Sequence, residues 1–264
     1  IMPRMSILDQ FRLDGRRALV TGASRGLGRE MALALAGAGA DVVITGRTAD
    51  TLERTAADIR ALGRQAWTRV VDMGVPEACE AASEEIRDAL GPIHILVNNV
   101  GNRVTSGAIA DEPLGTWRQS IDLNLTSVVL PTRIFGAAMI AAGQGGRIIN
   151  IASISGLIAN RGIGGRDYET SKAAVIHFTR CAAVDWAPHG ITVNAICPGL
   201  FMTDANREWN ARRPDVIEAF LRHVPMGRAG HPPEIGPLAV YLASAASAYM
   251  TGAALVFDGG YTCW

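Results

Sequence analysis

"TGASRGLG", residues 21–28, stands between a short apolar run, "RALVTG" at 17–22, and an Ala-rich stretch of helical period at 26–38. A glycine-rich turn that leaves a strand and opens a helix brings free backbone N–H groups and the positive end of the helix dipole to one spot. That arrangement binds phosphate. The glycines divide the work: Gly22 permits the tight turn, Gly26 lets backbone approach a pyrophosphate, and Gly28 allows helix to pack closely on strand. Ser24, Arg25 and Leu27 complete the loop. The spacing is GxxxGxG rather than the commoner GxGxxG, and glycine turns also follow strands for purely conformational reasons, so the remaining sequence has to decide.

It points to an α/β protein. Six more β-branched runs lie at 41–46, 66–72, 93–99, 147–153, 191–199 and 253–260. Their lack of polar alternation suits a sheet covered on both faces. Between them, stretches at 50–62, 76–90, 113–142, 167–187 and 232–245 carry Ala, Leu, Ile or Val at helical spacing. The pattern predicts one Rossmann-type, doubly wound domain over residues 1–264, with seven mostly parallel strands and helices on both faces. No linker composition or internal repeat divides the chain. Residues 200–231, of mixed polarity, read as a substrate lid or specificity insertion.

Composition narrows the class. With 264 residues, 48 % hydrophobic and 19 % charged, the chain has the material for one sizeable core. Its 25 basic and 25 acidic residues cancel, which leaves no global attraction to nucleic acid or to a membrane surface. The first 20 residues lack the apolar segment of a signal peptide, and no run of 18 apolar residues occurs, so a cytoplasmic protein is expected. Cys79, Cys181, Cys197 and Cys263 show no CxxC spacing and the histidines are scattered. Neither a disulfide frame nor a metal site is expected.

The end of the second strand bears on the cofactor. An NAD site offers a carboxylate there for the ribose 2′-hydroxyl, whereas this chain reads Gly46-Arg47; Asp41 lies at the opposite end and Asp50 beyond the turn. Arg47 and Arg25 suit a 2′-phosphate, each charge-assisted contact being worth roughly 1.5–3 kcal/mol. NADP(H) is therefore expected, the alternative being two solvated turn arginines. Asp72 and Met73, ending the third strand, are placed to meet the adenine edge. "NNVG" at 98–101, with Asn99 and Gly101, is placed to line the adenosine.

"YETSK" at 168–172 sets a phenol and an ammonium one helical turn apart, which alone fits a surface pair as well as a site. The two residues fall within an ordered set: "TGASRGLG", Asp72, "NNVG", Asn124 in "DLNLTS", Ser153 in "INIAS", "YETSK", and Pro198-Gly199 followed by Thr203. On that set the chain resembles the short-chain dehydrogenase/reductase family along almost its whole length. The resemblance implies that Tyr168 is the general acid for carbonyl reduction and the base for alcohol oxidation. A phenol has a pKa of about 10 and needs a nearby cation to exchange protons near neutrality. Lys172 is implied to bring that cation and to bond the nicotinamide ribose. Ser153 is implied to polarise the carbonyl, Asn124 to hold a relay water, and Pro198, Gly199 and Thr203 to orient the nicotinamide carboxamide.

Within the family, "ICPGLFMT" at 196–203 and the ending "DGGYTCW" resemble gluconate 5-dehydrogenase-like members. A small carbonyl or alcohol substrate is expected, with a sugar acid the first choice. Arg103, Arg161 and Arg166 flank the expected site, either to pair with a carboxylate or as solvated loop residues. A 3-oxoacyl carrier protein reductase, a general ketone reductase and a non-catalytic NADPH-binding sensor remain alternatives. The stretch between Ser153 and Tyr168 exceeds the usual family length, and Gly162, Gly164 and Gly165 are expected to loosen the rim over the substrate. Surplus apolar residues on 113–142 and 167–187 suggest a homo-oligomer, by family expectation a tetramer.

Overall fold

The computed structural model describes residues 6–161 and 163–264. All seven expected strands form: β1 (Arg17–Val20), β2 (Asp41–Gly46), β3 (Ala66–Val70), β4 (Ile95–Asn98), β5 (Gly146–Ile151), β6 (Ile191–Pro198) and β7 (Ala254–Phe257). They make one sheet in the order β3-β2-β1-β4-β5-β6-β7, and every pairing is parallel. The chain winds outward twice from the centre, so the order reverses between β1 and β4. The crevice at the carboxyl ends of these two strands is where such sheets take ligands.

Nine α-helices connect the strands among the described residues: α1 (Gly26–Gly37), α2 (Ala49–Ala61), α3 (Pro76–Leu90), α4 (Leu114–Ile121), α5 (Ser127–Ala142), α6 (Arg166–Trp186), α7 (Asp204–Arg212), α8 (Pro214–Leu221) and α9 (Ile235–Ala243). Successive strand residues face opposite sides, and the core divides accordingly. Val20, Ile44 and Val97 pack with Met31 and Leu35 of α1, Ile59 of α2 and Leu242 of α9. Leu19, Val43 and Leu96 pack with Ile86 of α3, Phe135 and Met139 of α5, and Ala182 of α6. Each such buried Val, Leu, Ile, Phe or Met side chain contributes roughly 1.5–3 kcal/mol.

The helix expected over 113–142 forms as one continuous helix, Leu114–Ala142, with a π turn inside it. That turn, Asp122–Thr126, lies between α4 and α5. Its polar side chains compete for the helix carbonyls: Asn124 Nδ2 donates to Ser120 O at 3.0 Å, and Ser127 Oγ donates to Leu123 O at 2.6 Å. Such competition loosens the regular pattern and admits the extra residue of a π turn. By length and apolar composition 114–142 would span a membrane, yet Phe135 and Met139 belong to the sheet-facing core. Residues 200–231 contain α7 and α8, tied back by a bridge between Phe201 and Gly230.

Candidate active site

The carboxyl edge of the sheet collects almost every residue singled out in the sequence. Gly22 follows β1, Arg47 follows β2, Asp72 closely follows β3, Asn99 follows β4, Ser153 follows β5, and Pro198 and Gly199 close β6. Gly22 and Gly26 take φ of +64° and +60°, a region other L-residues avoid. Gly28 has ordinary helical geometry, but a Cβ there would lie 2.5 Å from Gly22 O and collide with the Asn99 amide. Asn99 Nδ2 bonds Thr21 O at 3.0 Å and Gly22 O at 3.1 Å, which ties β4 to the loop. No side chain caps the start of α1. Its first N–H groups, within a cradle only glycine permits, fit a phosphate group.

Beside this cradle, Ser24 packs against Gly46, where an added Cβ would stand 3.3 Å from Ser24 Oγ. Arg25 and Arg47 are exposed. The Arg47 guanidinium stands 3.9 Å from Asp72 Oδ2, while Asp72 Oδ1 accepts from Gly74 N at 2.9 Å. Met73 is 2 % exposed, so what it offers the crevice is backbone. Thr203 N-caps α7, accepting from Asn206 N at 3.3 Å, and its Cγ2 would lie 3.5 Å from a Cβ at Gly26. It thus stands across the glycine loop from α1. Leu27, in the first turn of α1, packs against the core.

Around α6 the second group of residues converges. Lys172 Nζ lies 5.8 Å from the centre of the Tyr168 ring and donates to Ile151 O at 2.9 Å. A Cβ at Gly101 would come within 2.7 Å of Lys172 Nζ and 2.8 Å of Asn124 Oδ1, so glycine at that point lets lysine and asparagine approach one another. Asn124 is buried on the π turn, its Oδ1 accepting from Asn102 N and its Nδ2 donating to Asn102 O, both at 2.9 Å. Ser153 is buried and its Oγ accepts from Ser155 N at 3.1 Å.

Electrostatics depart from the expectation in one respect. Burial holds the Tyr168 phenol above its ordinary pKa, while hydrogen bonding with Ser153 and the charge of Arg103 act in the lowering direction. Burial likewise pushes Lys172 down to about 8. The closer cation is Arg103, whose guanidinium carbon stands 4.8 Å over the Tyr168 ring. Sequence reading placed Arg103 near the site but missed this stacking, because 65 residues of chain separate the partners and only the neighbouring ends of β4 and α6 bring them together.

The three flanking arginines separate in role. Arg166 is paired with Glu169, and Arg161 is exposed. Arg103 donates to the carbonyls of Gly164 and Gly165 and has no carboxylate partner among the described residues. The looser rim expected from the glycines is corrected in part: a Cβ on Gly164 would collide with Ser106 O, and Gly165 N donates to Gly107 O at 3.3 Å. These glycines let two loops close on each other. Gly162 lies outside the described residues.

A buried polar ladder also escaped the sequence reading. Asn98 Nδ2 donates to Asn150 Oδ1 at 2.9 Å and to Thr132 Oγ1 at 2.8 Å, and Asn150 Nδ2 donates to Thr179 Oγ1 at 2.9 Å. Its signal was present: β4 ends on Asn98 and β5 carries Asn150 at the paired position. The ladder fixes the two strand ends that carry Asn99 and Ser153.

Comparison with known proteins agrees with this geometry. The family model described as Enoyl-(Acyl carrier protein) reductase matches residues 22–262. Galactitol 2-dehydrogenase (L-tagatose-forming) of Cereibacter sphaeroides is 42 % identical over 255 residues, which cover 96 % of this chain and 98 % of that protein. The crystal structure of a short-chain type dehydrogenase/reductase from Mycobacterium marinum superposes with a TM-score of 0.88 at 42 % identity, covering 98 % of this chain and 100 % of the other. A putative 2-deoxy-d-gluconate 3-dehydrogenase from Agrobacterium tumefaciens, solved with bound NADP, gives a TM-score of 0.87 at 36 % identity over 97 % and 99 % of the two chains. The chain belongs to the short-chain dehydrogenase/reductase family, and is an oxidoreductase acting between CH–OH and C=O with a nicotinamide cofactor.

Proposed function

We propose that this protein interconverts a ketone and a secondary alcohol on a sugar acid, using NADP(H). The observation that carries the reading is the convergence of Tyr168, Lys172 and Ser153 at the sheet edge, with the Arg103 guanidinium 4.8 Å over the Tyr168 ring and unpaired with any carboxylate among the described residues. NADPH, when bound, supplies the hydride. In reduction, Tyr168 gives its phenolic proton to the carbonyl oxygen as negative charge develops there. Ser153 donates a hydrogen bond to the same oxygen and holds it against Tyr168. Lys172 and Arg103 stabilise the phenolate left behind.

Asn124 and the Asn102 backbone would hold a water behind Lys172 and so return the proton. Gly22, Gly26 and Gly28 would seat the pyrophosphate on the start of α1. Asp72, Met73, Asn99 and Gly101 would line the adenosine, and Pro198, Gly199 and Thr203 would meet the nicotinamide end. The 2′-phosphate is assigned to Arg47, with Arg25 and Ser24 beside it; an exposed guanidinium only loosely paired with Asp72 is available to a stronger anion. The NADP in the Agrobacterium relative's structure supports this choice.

Arg103 favours an anionic substrate, since charge beside a half-buried phenol attracts a carboxylate more strongly than a solvated surface arginine does. The 2-deoxy-d-gluconate name of the same relative supports a sugar acid. A neutral polyol is the second reading, favoured by the 42 % identity to galactitol 2-dehydrogenase. The segment 200–231 is assigned as the lid over the substrate, the whole chain as one catalytic domain, and the assembly as a tetramer. NADPH consumption across keto-sugar acids, neutral ketoses, 3-oxoacyl thioesters and simple ketones tests the reading. Activity confined to acyl thioesters, or none at all beside tight NADPH binding, would refute it.

A further inference from the structure

Between Ser153 and the start of α6 the chain makes a 3-10 turn at Ile154–Gly156 and returns through the glycine-rich rim. A continuous run of internal hydrogen bonds closes this excursion. Ser153 Oγ accepts from Ser155 N at 3.1 Å, and Ser155 Oγ accepts from Asn160 Nδ2 at 2.8 Å. The same Nδ2 donates to Glu169 Oε1 at 2.9 Å, and the Asn160 backbone N–H donates to that oxygen at 3.1 Å. Arg166 completes the clasp, with one guanidinium nitrogen on Glu169 and the other on Asn160 O at 3.2 Å. Ser153, Ser155, Asn160 and Glu169 are all at most 8 % exposed.

We propose that Glu169 is a positioning residue for Ser153, acting through Asn160 and Ser155; the proposal rests on the assignment of Ser153 as the group that holds the carbonyl. A serine hydroxyl has three staggered orientations. The Ser155 N–H fills an acceptor position on Ser153 Oγ and so favours the orientation whose O–H is free to donate elsewhere. The 3-10 turn fixes the Ser155 backbone within its own hydrogen bonds, Gly156 N to Ser153 O at 3.0 Å and Leu157 N to Ile154 O at 2.8 Å, and the Asn160 bond to Ser155 Oγ anchors that turn to α6 through Glu169. Asn160 is oriented in turn by two bonds to a single carboxylate oxygen. Glu169 lies in the first turn of α6, where the helix dipole favours a carboxylate, directly after Tyr168. It thereby ties the orientation of Ser153 to the helix that carries the proton donor. The closed excursion between Ser153 and Tyr168 has conformational freedom that such a clasp restrains.

The test is ketone reduction by Glu169→Ala, Glu169→Gln and Asn160→Ala, with NADPH affinity followed by fluorescence titration. Misplacing a hydrogen-bonding group by about 1 Å can cost on the order of a hundredfold in rate. Glu169→Ala and Asn160→Ala should therefore each lower kcat by roughly ten- to a hundredfold, with NADPH affinity unchanged within about twofold. Glu169→Gln retains the acceptor for Asn160 and should recover most of the rate. In a Ser153→Ala background, Glu169→Ala should have almost no further effect, because the group it positions is gone.

A loss that persists in full in the Ser153→Ala background overturns the proposal, as does an alanine variant with kcat within about twofold of the parent. If Glu169→Ala does not fold, Asn160→Ala and the rescue by glutamine decide the matter. Parent protein inert toward every ketone would overturn the underlying assignment and the proposal together.

Discussion

Replacing Lys172 by Met removes a cation that the fold buries at a cost. Lys172 is 2 % exposed and its pKa falls from 10.5 to about 8, with desolvation the largest cause. At about 1.4 kcal/mol for each tenfold in proton affinity, holding this ammonium charged near neutrality costs roughly 3 kcal/mol of stability. The sign follows from proton counting. The folded pKa lies below the unfolded one, so between pH 8 and 10.5 the unfolded chain binds more protons, and stability rises with pH across that window. Cys197, whose charge is coupled to Lys172, is pushed up to about 11 and stays largely protonated through most of it.

Met also removes the bond to Ile151 O, which costs about 1–3 kcal/mol at any pH. Comparing two pH values therefore isolates the charge. From about pH 7 to about pH 9.5, the stability of the parent should gain roughly 2 kcal/mol on Lys172→Met, measured by urea denaturation of both proteins. Reductase activity of the variant should be lost at both values. A stability difference that stays constant with pH, or that moves toward the variant as pH rises, would refute the argument that folding depresses the Lys172 pKa.

Three further outcomes follow from the same geometry. Arg47→Asp should lower the ratio of kcat/KM for NADPH over NADH by roughly ten- to a hundredfold, the value of one charge-assisted contact, and an unchanged ratio would remove Arg47 from the 2′-phosphate site. Arg103→Ala should raise KM for a keto-sugar acid about tenfold or more relative to that for a neutral ketose; equal losses on both would mean that Arg103 serves the rim and Tyr168 alone. Gly164→Ala should destabilise by about 1–3 kcal/mol, because its Cβ collides with the Ser106 and Gly107 carbonyls. Gly37→Ala, with open space at that position, should be neutral or stabilising. Thermal unfolding of the two variants compares them directly.

The sheet was legible because its signal is local. Apolar runs such as "ILV" before Asn98 are buried on both faces in the central strands, whereas the edge strands β3 and β7 stay partly exposed, and all seven runs became parallel strands. The glycine loop was legible for the same reason, since positive φ at Gly22 and Gly26 is a property of single residues. What the sequence concealed depends on side chains meeting across the fold. The π turn inside the continuous helix 114–142 arises where Asn124 and Ser127 take carbonyls from the helix itself, a detail its apolar period does not show. Arg166, open in the sequence between a substrate contact and a solvated loop residue, is instead paired with Glu169, one turn away. The closer of the two cations over the Tyr168 ring is Arg103, a residue that spacing within "YETSK" has no means of revealing.

The central claim is that Tyr168 delivers the proton to the substrate oxygen. Its most direct measurement is the kcat of Tyr168→Phe for reduction of the best keto-sugar acid, with NADPH affinity determined in parallel. Loss of the donor should lower kcat by about a hundredfold to ten-thousandfold and leave NADPH affinity within a few-fold of the parent. A variant that retains kcat within about tenfold while binding NADPH normally would contradict the account.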